Sequence, residues 1–134
     1  MKVCLLAQTL DPQTGIGVFV DNMIKGLKSE RSDIEFSVLT GRNNFLHIRR
    51  EIKKADVVHA IDAYPHGILA AVLGIGLGKP LVITAIGSGS LKGLSGGGLK
   101  PFLMRLSYKR ASAVAAISRY VAGEVRRVCQ GVSV

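Results

Sequence analysis

Five short apolar runs recur along the chain: Val3–Ala7, Ile34–Leu39, Val57–Ile61, Leu81–Ile86 and Ala113–Ile117. The first is continuous rather than alternating, as in a strand buried on both faces, and the others read as strands like it. Between them lie stretches of helical length, predicted at about Ile16–Lys28, Asn44–Ala55, Pro65–Leu77 and Leu99–Arg110, with Arg119–Cys129 after the last. A helix between consecutive strands is a crossover connection, so the strands must run parallel with helices packed on both faces. The sequence therefore predicts an α/β, three-layer Rossmann-like domain with a mostly parallel sheet. Gly131–Val134 reads as the opening of a further strand.

At 134 residues with 48% apolar content, the chain is one domain with a sizeable core. Disorder, collagen-like repeats and a coiled coil are excluded by this composition. Cys4 and Cys129 are too few for a disulfide framework and read as free thiols. Neither stands at a strand's carboxyl end, where a nucleophile is expected. The weakly charged region 63–91 is split by Lys79 and Pro80, so a buried helix followed by a buried strand fits better than a membrane span. After Lys2 the apolar stretch is too short for a secretory signal.

The net charge of +9 is uneven. Residues 1–67 carry nine Lys/Arg against eight Asp/Glu, whereas residues 68–134 carry nine against one. Such a half-chain suits a phosphorylated ligand, a polyanion or an anionic membrane surface. Aromatic residues at 5%, without Trp, give few stacking platforms, so nucleic acid is not expected as a partner.

In a parallel α/β sheet, ligands gather beyond the carboxyl ends of the strands. Three segments there carry chemistry. Gly15-Ile16-Gly17 lies between the first strand and first helix, where amides and the helix dipole suit an anion or a sugar. It is not a dinucleotide fingerprint, because Val20 holds the third glycine position. Asp62, Tyr64 and His66 cluster after the third strand and suit a hydroxylated ligand; His59 is as well explained as a core histidine. No third or fourth metal ligand accompanies them, so no metal is expected. Gly87–Gly98 holds six glycines and three serines in twelve residues, too rich for a simple connector. The run Gly74–Lys79 is not a P-loop, since Pro80 replaces the hydroxyl residue and the segment precedes a strand. In the helix after the glycine loop, Leu99, Phe102, Leu103 and Leu106 form one face. Met104 and Tyr108, flanked by Lys100 and Arg105, form the other, an expected membrane-contact face.

Taken in order, these motifs resemble the N-terminal domain of a family 4 glycosyltransferase of the GT-B fold. The resemblance rests on Thr14–Val20, Ala55–Ala60, Ala63–Gly67, Gly78–Ala85 with Gly87-Ser88, and Arg110–Tyr120. It implies that the chain is the acceptor-side half of a two-domain enzyme, inactive without a nucleotide-sugar-binding C-terminal domain supplied by a longer chain or a separate subunit. It implies a nucleotide sugar as donor, a glycan or lipid-linked acceptor, retention at the transferred carbon, no metal or other cofactor, and work at the cytoplasmic membrane face. Gly15, Ile16, Gly17, Asp62, Tyr64, His66, Gly87 and Ser88 would then contact donor or acceptor. Ile61 and Ile86 stand where the family often has histidines, and Gly89 where many members have aspartate. These departures imply a greasier acceptor. A phosphorylated-ligand or partner-binding module without catalysis is the alternative.

Overall fold

The computed structural model describes residues 1–134 except Gly41, and at Ser88 and Gly89 the backbone alone. Five strands, β1 (Lys2–Leu6), β2 (Glu35–Leu39), β3 (Val57–Ile61), β4 (Leu81–Ala85) and β5 (Ala113–Ala116), form one sheet in the order β2-β1-β3-β4-β5. Every pairing is parallel. This is the Rossmann-like arrangement expected from the apolar runs. The order reverses between β1 and β3, which is where such sheets open a crevice at their carboxyl edge.

The helices are α1 (Gly15–Glu30), α2 (Phe45–Lys54), α3 (Ile68–Leu73), α4 (Ser88–Leu91), α5 (Leu99–Arg110) and α6 (Arg119–Val128). Side-chain caps start three of them: Thr14, Asn44 and Ser118 accept hydrogen bonds from the amides of Gly17, His47 and Val121. The sheet faces are unequally covered. Val20 of α1 packs with Leu5, Ala7 and Ile61 on one face, whereas residues of α2, α3, α5 and α6 share a second, larger core. Because α1 alone serves the first face, Ala113 and Ala115 of β5 stay exposed there, while Val114 between them is buried.

Three expectations about element limits change. The apolar stretch Pro65–Leu77 is not one helix. Ala63–Gly67 forms a single wide turn in which Tyr64 is extended and the Tyr64–Pro65 peptide is cis, and only Ile68–Leu73 is α-helical. Beyond it Gly76 and Gly78 take positive φ, a conformation that stops the helix. Conversely, the glycine-rich segment contains α4, a short helix of four residues. Gly131–Val134 is not a strand, although Ser133 accepts a bond from the Val114 amide at 2.9 Å along the outer edge of β5.

The expected orientation of α5 is reversed. Met104 and Tyr108 are fully buried, whereas Leu99 and Phe102 are 72% and 55% exposed. Both faces of this helix are apolar, so periodicity does not choose between them. The choice falls to a polar contact: the Tyr108 hydroxyl donates to the Ser90 carbonyl at 3.0 Å, which draws that face inward. Met104 and Tyr108 are therefore not membrane contacts. Arg105 is also committed inside the fold, since its guanidinium donates to the carbonyls of Leu94 (2.7 Å) and Gly96 (3.0 Å). Lys100 stays exposed, with its ammonium 3.9 Å from the centre of the Tyr64 ring.

Candidate functional site

The loops leaving β1, β3 and β4 emerge at the carboxyl edge of the sheet. At the first, Thr14 Oγ1 donates to the Asp11 carbonyl (2.8 Å) and accepts from the Gly17 amide (3.0 Å). The loop thereby folds against the first turn of α1. A Cβ on Gly17 would lie 1.9 Å from the Asp11 carbonyl oxygen, so glycine is required there by the loop itself. Its amide is already capped. Gly17 is thus a packing glycine rather than a ligand contact, which corrects the sequence reading. Gly15 differs: a Cβ there would meet nothing within 4 Å. Among the described residues, the Gly15 and Ile16 amides have no partner, leaving two donors at the positive end of a sixteen-residue helix.

The second loop turns at Asp62, which has a φ of 66°. Asp tolerates this left-handed region better than most side chains, because its short polar group bonds locally. Here Oδ1 accepts from the Ile86 amide at 3.1 Å and from the Ser90 hydroxyl. The carboxylate therefore ties the third loop to the second, and Tyr108 holds Ser90 from below. Asp62 is a strut rather than an open acceptor contact. Asp62→Ala would leave the Ser90 hydroxyl and the Ile86 amide without their acceptor, at an expected cost of about 2 kcal/mol, with Asp62→Asn costing less. Urea unfolding measures the loss, and faster hydrogen exchange at the amides of residues 86–91 would locate it. Unchanged exchange there would contradict the strut role.

His66 is only 3% exposed, and its Nε2 atom is buried without a partner. Burial pushes its pKa below the ordinary imidazole range, partly opposed by Asp62 and by a bond to the Ile61 backbone. Tyr64 points the other way: it is 44% exposed, with Lys100 over its ring. The structure thus separates the three residues grouped by sequence: Tyr64 faces the rim, His66 lies beneath it and Asp62 joins two loops. Gly87 has open space where a Cβ would stand, and its carbonyl accepts the Ser90 amide at 3.0 Å. The side chain of Ser88 lies outside the described residues.

Half-buried Ile16 and Ile86 pack against the apolar cluster that holds buried Ile61, so the three loops share an apolar floor. The roles of Ser90 and Thr84 were missed in the sequence reading, and Tyr108 was read as a membrane contact, because the partners of all three lie far along the chain. Thr84 Oγ1 lies 2.7 Å from His59 Nε2, and both residues are on strands. His59 is a satisfied sheet histidine whose pKa burial pushes down to about 4. Cys4 is completely buried, and its thiol is pushed up to about 12, which leaves it protonated and unreactive. Among the described residues, no group of three or more His, Cys, Asp or Glu stands together as a metal site.

The sequence profile described as Glycosyltransferase Family 4 matches residues 34–132. This chain belongs to glycosyltransferase family 4. No curated protein matches it in sequence. Among solved structures, an NADPH-quinone reductase from P. pentosaceus is similar over 97% of this chain and 98% of that one, with a TM-score of 0.48 and 10% identity. That likeness is too low to carry any argument about chemistry. In the family 4 domain, the profile match takes in the turn at Asp62, the glycine-rich segment and α5, and begins after the Gly15–Gly17 turn. No described helix is long and apolar enough to cross a membrane.

Proposed function

We propose that this family 4 domain is the acceptor-side half of a GT-B glycosyltransferase, which passes a hexosyl group from a nucleotide sugar to a glycan or lipid-linked acceptor. The observation that carries the reading is the profile match over most of the chain. The geometry of the rim supports it. Two unpartnered amides at α1 suit a phosphate or a hydroxyl group. Tyr64, braced by Lys100, offers an aromatic face with a cation beside it. The floor of Ile16, Ile61 and Ile86 favours an acceptor with apolar character. The domain supplies positioning groups and an electrostatic setting, and the nucleotide sugar would be held mainly by a second domain. On this reading the isolated chain does not turn over, needs no metal, and works at the cytoplasmic face.

One observation favours the alternative of a non-catalytic binding module: Asp62 is engaged within the fold and His66 is buried, so neither is presented to a substrate as an acid or base. The two readings separate experimentally. Release of nucleoside diphosphate from a panel of nucleotide hexoses should be absent with the chain alone. It should appear when the chain is joined to a family 4 nucleotide-sugar domain and given acceptor. In that hybrid, Tyr64→Ala should lower turnover about tenfold, the scale of one lost positioning contact, with little change in melting temperature. Turnover by the isolated chain, or an unaffected Tyr64→Ala hybrid, would overturn the proposal. A hybrid that binds phosphorylated ligands but never turns over would favour the module.

A further inference from the structure

The two margins of the sheet are finished differently. Along β5, the Val114 amide donates to the Ser133 carbonyl at 2.9 Å, so the last residues lie against that edge. β2 ends the sheet on the other side, with nothing paired beyond it among the described residues. The Glu35 amide donates to the Met1 carbonyl at 2.9 Å, and the Leu39 carbonyl accepts from the Ala7 amide at 3.0 Å, so Glu35, Ser37 and Leu39 bond inward to β1. Backbone groups alternate in direction along a strand, and Phe36 and Val38 therefore aim two amides and two carbonyls outward. Both ends of this open row are closed. The Ile34 amide donates to the Arg31 carbonyl at 3.3 Å, and the Thr40 amide to Asn43 Oδ1 at 2.9 Å. Edge strands are ordinarily guarded by lysine, proline or a bulge. The strand Glu35-Phe36-Ser37-Val38-Leu39 has none of these and pairs with β1 residue for residue. On the α2 side a hollow of about 200 Å³, with Glu35, Ser37, Glu51 and Lys54 in its lining, leaves the strand accessible.

We propose that β2 is a self-pairing edge, through which two copies of this chain join about a two-fold axis into one continuous sheet. The occupant is a second copy because the open row matches itself when reversed. Antiparallel pairing centred on Ser37 sets Phe36 opposite Val38 of the second copy, and Val38 opposite its Phe36. Each of these pairs exchanges two N–H···O=C bonds, so all the outward groups are used. A register centred on Phe36 or on Val38 would use only half of them. Phe36 and Val38 are half-buried on the α1 face, where the two cross-strand contacts become aromatic against β-branched, a favoured combination. Charge agrees with this register. Exposed Asp33 and Glu35 stand at the start of the strand and exposed Arg42 beyond its end, so each Arg42 approaches the acids of the other copy. The interface closes on itself, as an isologous contact must. The axis reverses strand direction between the copies, so the two rims open at opposite ends of the joined sheet. This surface stands independently of the transfer reading.

Sedimentation equilibrium over a concentration series tests the assignment. The mass should rise from near 14.2 kDa in dilute solution toward twice that value. Val38→Pro removes one outward amide from each copy, hence two of the four bonds, and should weaken association at least about tenfold. Circular dichroism melts confirm that the variant is folded. Because Val38 also packs beneath α1, a second measurement avoids it. In a Cys4→Ala background, Ser37→Cys stands beside its own twin at the axis, in a non-hydrogen-bonded pair with Cα atoms about 4.5 Å apart, within disulfide range. Mild oxidation should give a covalent dimer that reductant separates. Glu35→Cys in the same background faces Leu39 of the second copy, roughly 14 Å along the strand from its twin, and should not cross-link. Cys129 is completely buried and takes no part. A monomer at every concentration, unchanged association of folded Val38→Pro, or equal cross-linking at positions 35 and 37 would each overturn the proposal.

Discussion

Acidification from pH 7 to pH 4 should remove about 3 kcal/mol of folding stability through His59 alone. The imidazole is held between strands, and burial alone lowers its pKa from 6.5 to about 4. Above pH 6.5 the ring is neutral in both folded and unfolded chains and contributes no pH dependence. Between 6.5 and 4 the unfolded chain binds a proton that the folded chain refuses, so stability falls as pH falls. A depression of about 2.5 units at 1.36 kcal/mol each gives the total, or a drop of about 10 °C in melting temperature for a domain of this size. Urea unfolding at a series of pH values measures it. His59→Gln, which keeps a hydrogen-bonding group toward Thr84 without an imidazole, should flatten most of the profile. The residual slope belongs to His66, shifted in the same direction by burial, and at the acid end to Asp33, Glu51 and Glu124, whose carboxyls are held below their ordinary range by Arg31, Lys54 and Arg127. Identical profiles for wild type and His59→Gln would show that the acid response has another origin.

Two glycines only two residues apart should respond oppositely to alanine. Gly17→Ala drives a Cβ to within 1.9 Å of a backbone oxygen, that of Asp11. Backbone cannot rotate away as a flexible side chain does, so the loop must lift. Lifting it breaks the two bonds of Thr14 to Asp11 and Gly17. Overpacking of this kind costs about 1–3 kcal/mol and loss of a helix cap about 1, so a total near 3 kcal/mol is expected. Gly15→Ala has free space at its Cβ and gains helix propensity, so it should be neutral or stabilising by up to about 1 kcal/mol. Urea denaturation of both variants makes the comparison, and equal effects would refute the packing account. If the Gly15 and Ile16 amides hold an anion, Gly15→Ala should also weaken phosphate binding by crowding the approach, a second readout independent of stability.

Much of the fold was legible in the residues. The parallel sheet followed from short apolar runs and crossover-length connections. His59 was open between core and site, and a distant strand residue, Thr84, decided for the core. The Asp62–His66 segment shows why the site was harder to read. Polar residues close in sequence at a strand end look like one constellation. A left-handed turn at Asp62 and an extended Tyr64 aim their side chains in three directions. The Asp62 bond to Ser90 spans twenty-eight positions and has no local signature. The α5 error has the same origin: two apolar faces of similar strength, chosen between by the Tyr108 bond to a carbonyl eighteen residues earlier.

The order of apolar runs and crossover-length connections by itself determined the fold class and, with it, the edge of the sheet at which the rim loops emerge. These are set by periodicity and by local backbone chemistry, which a linear chain carries in full. Only the tertiary structure decided which face of α5 is buried and which polar groups are struts rather than contacts. Those outcomes depend on which buried donor meets which acceptor, and the pairs that settle them are brought together only when the sheet and its helices close.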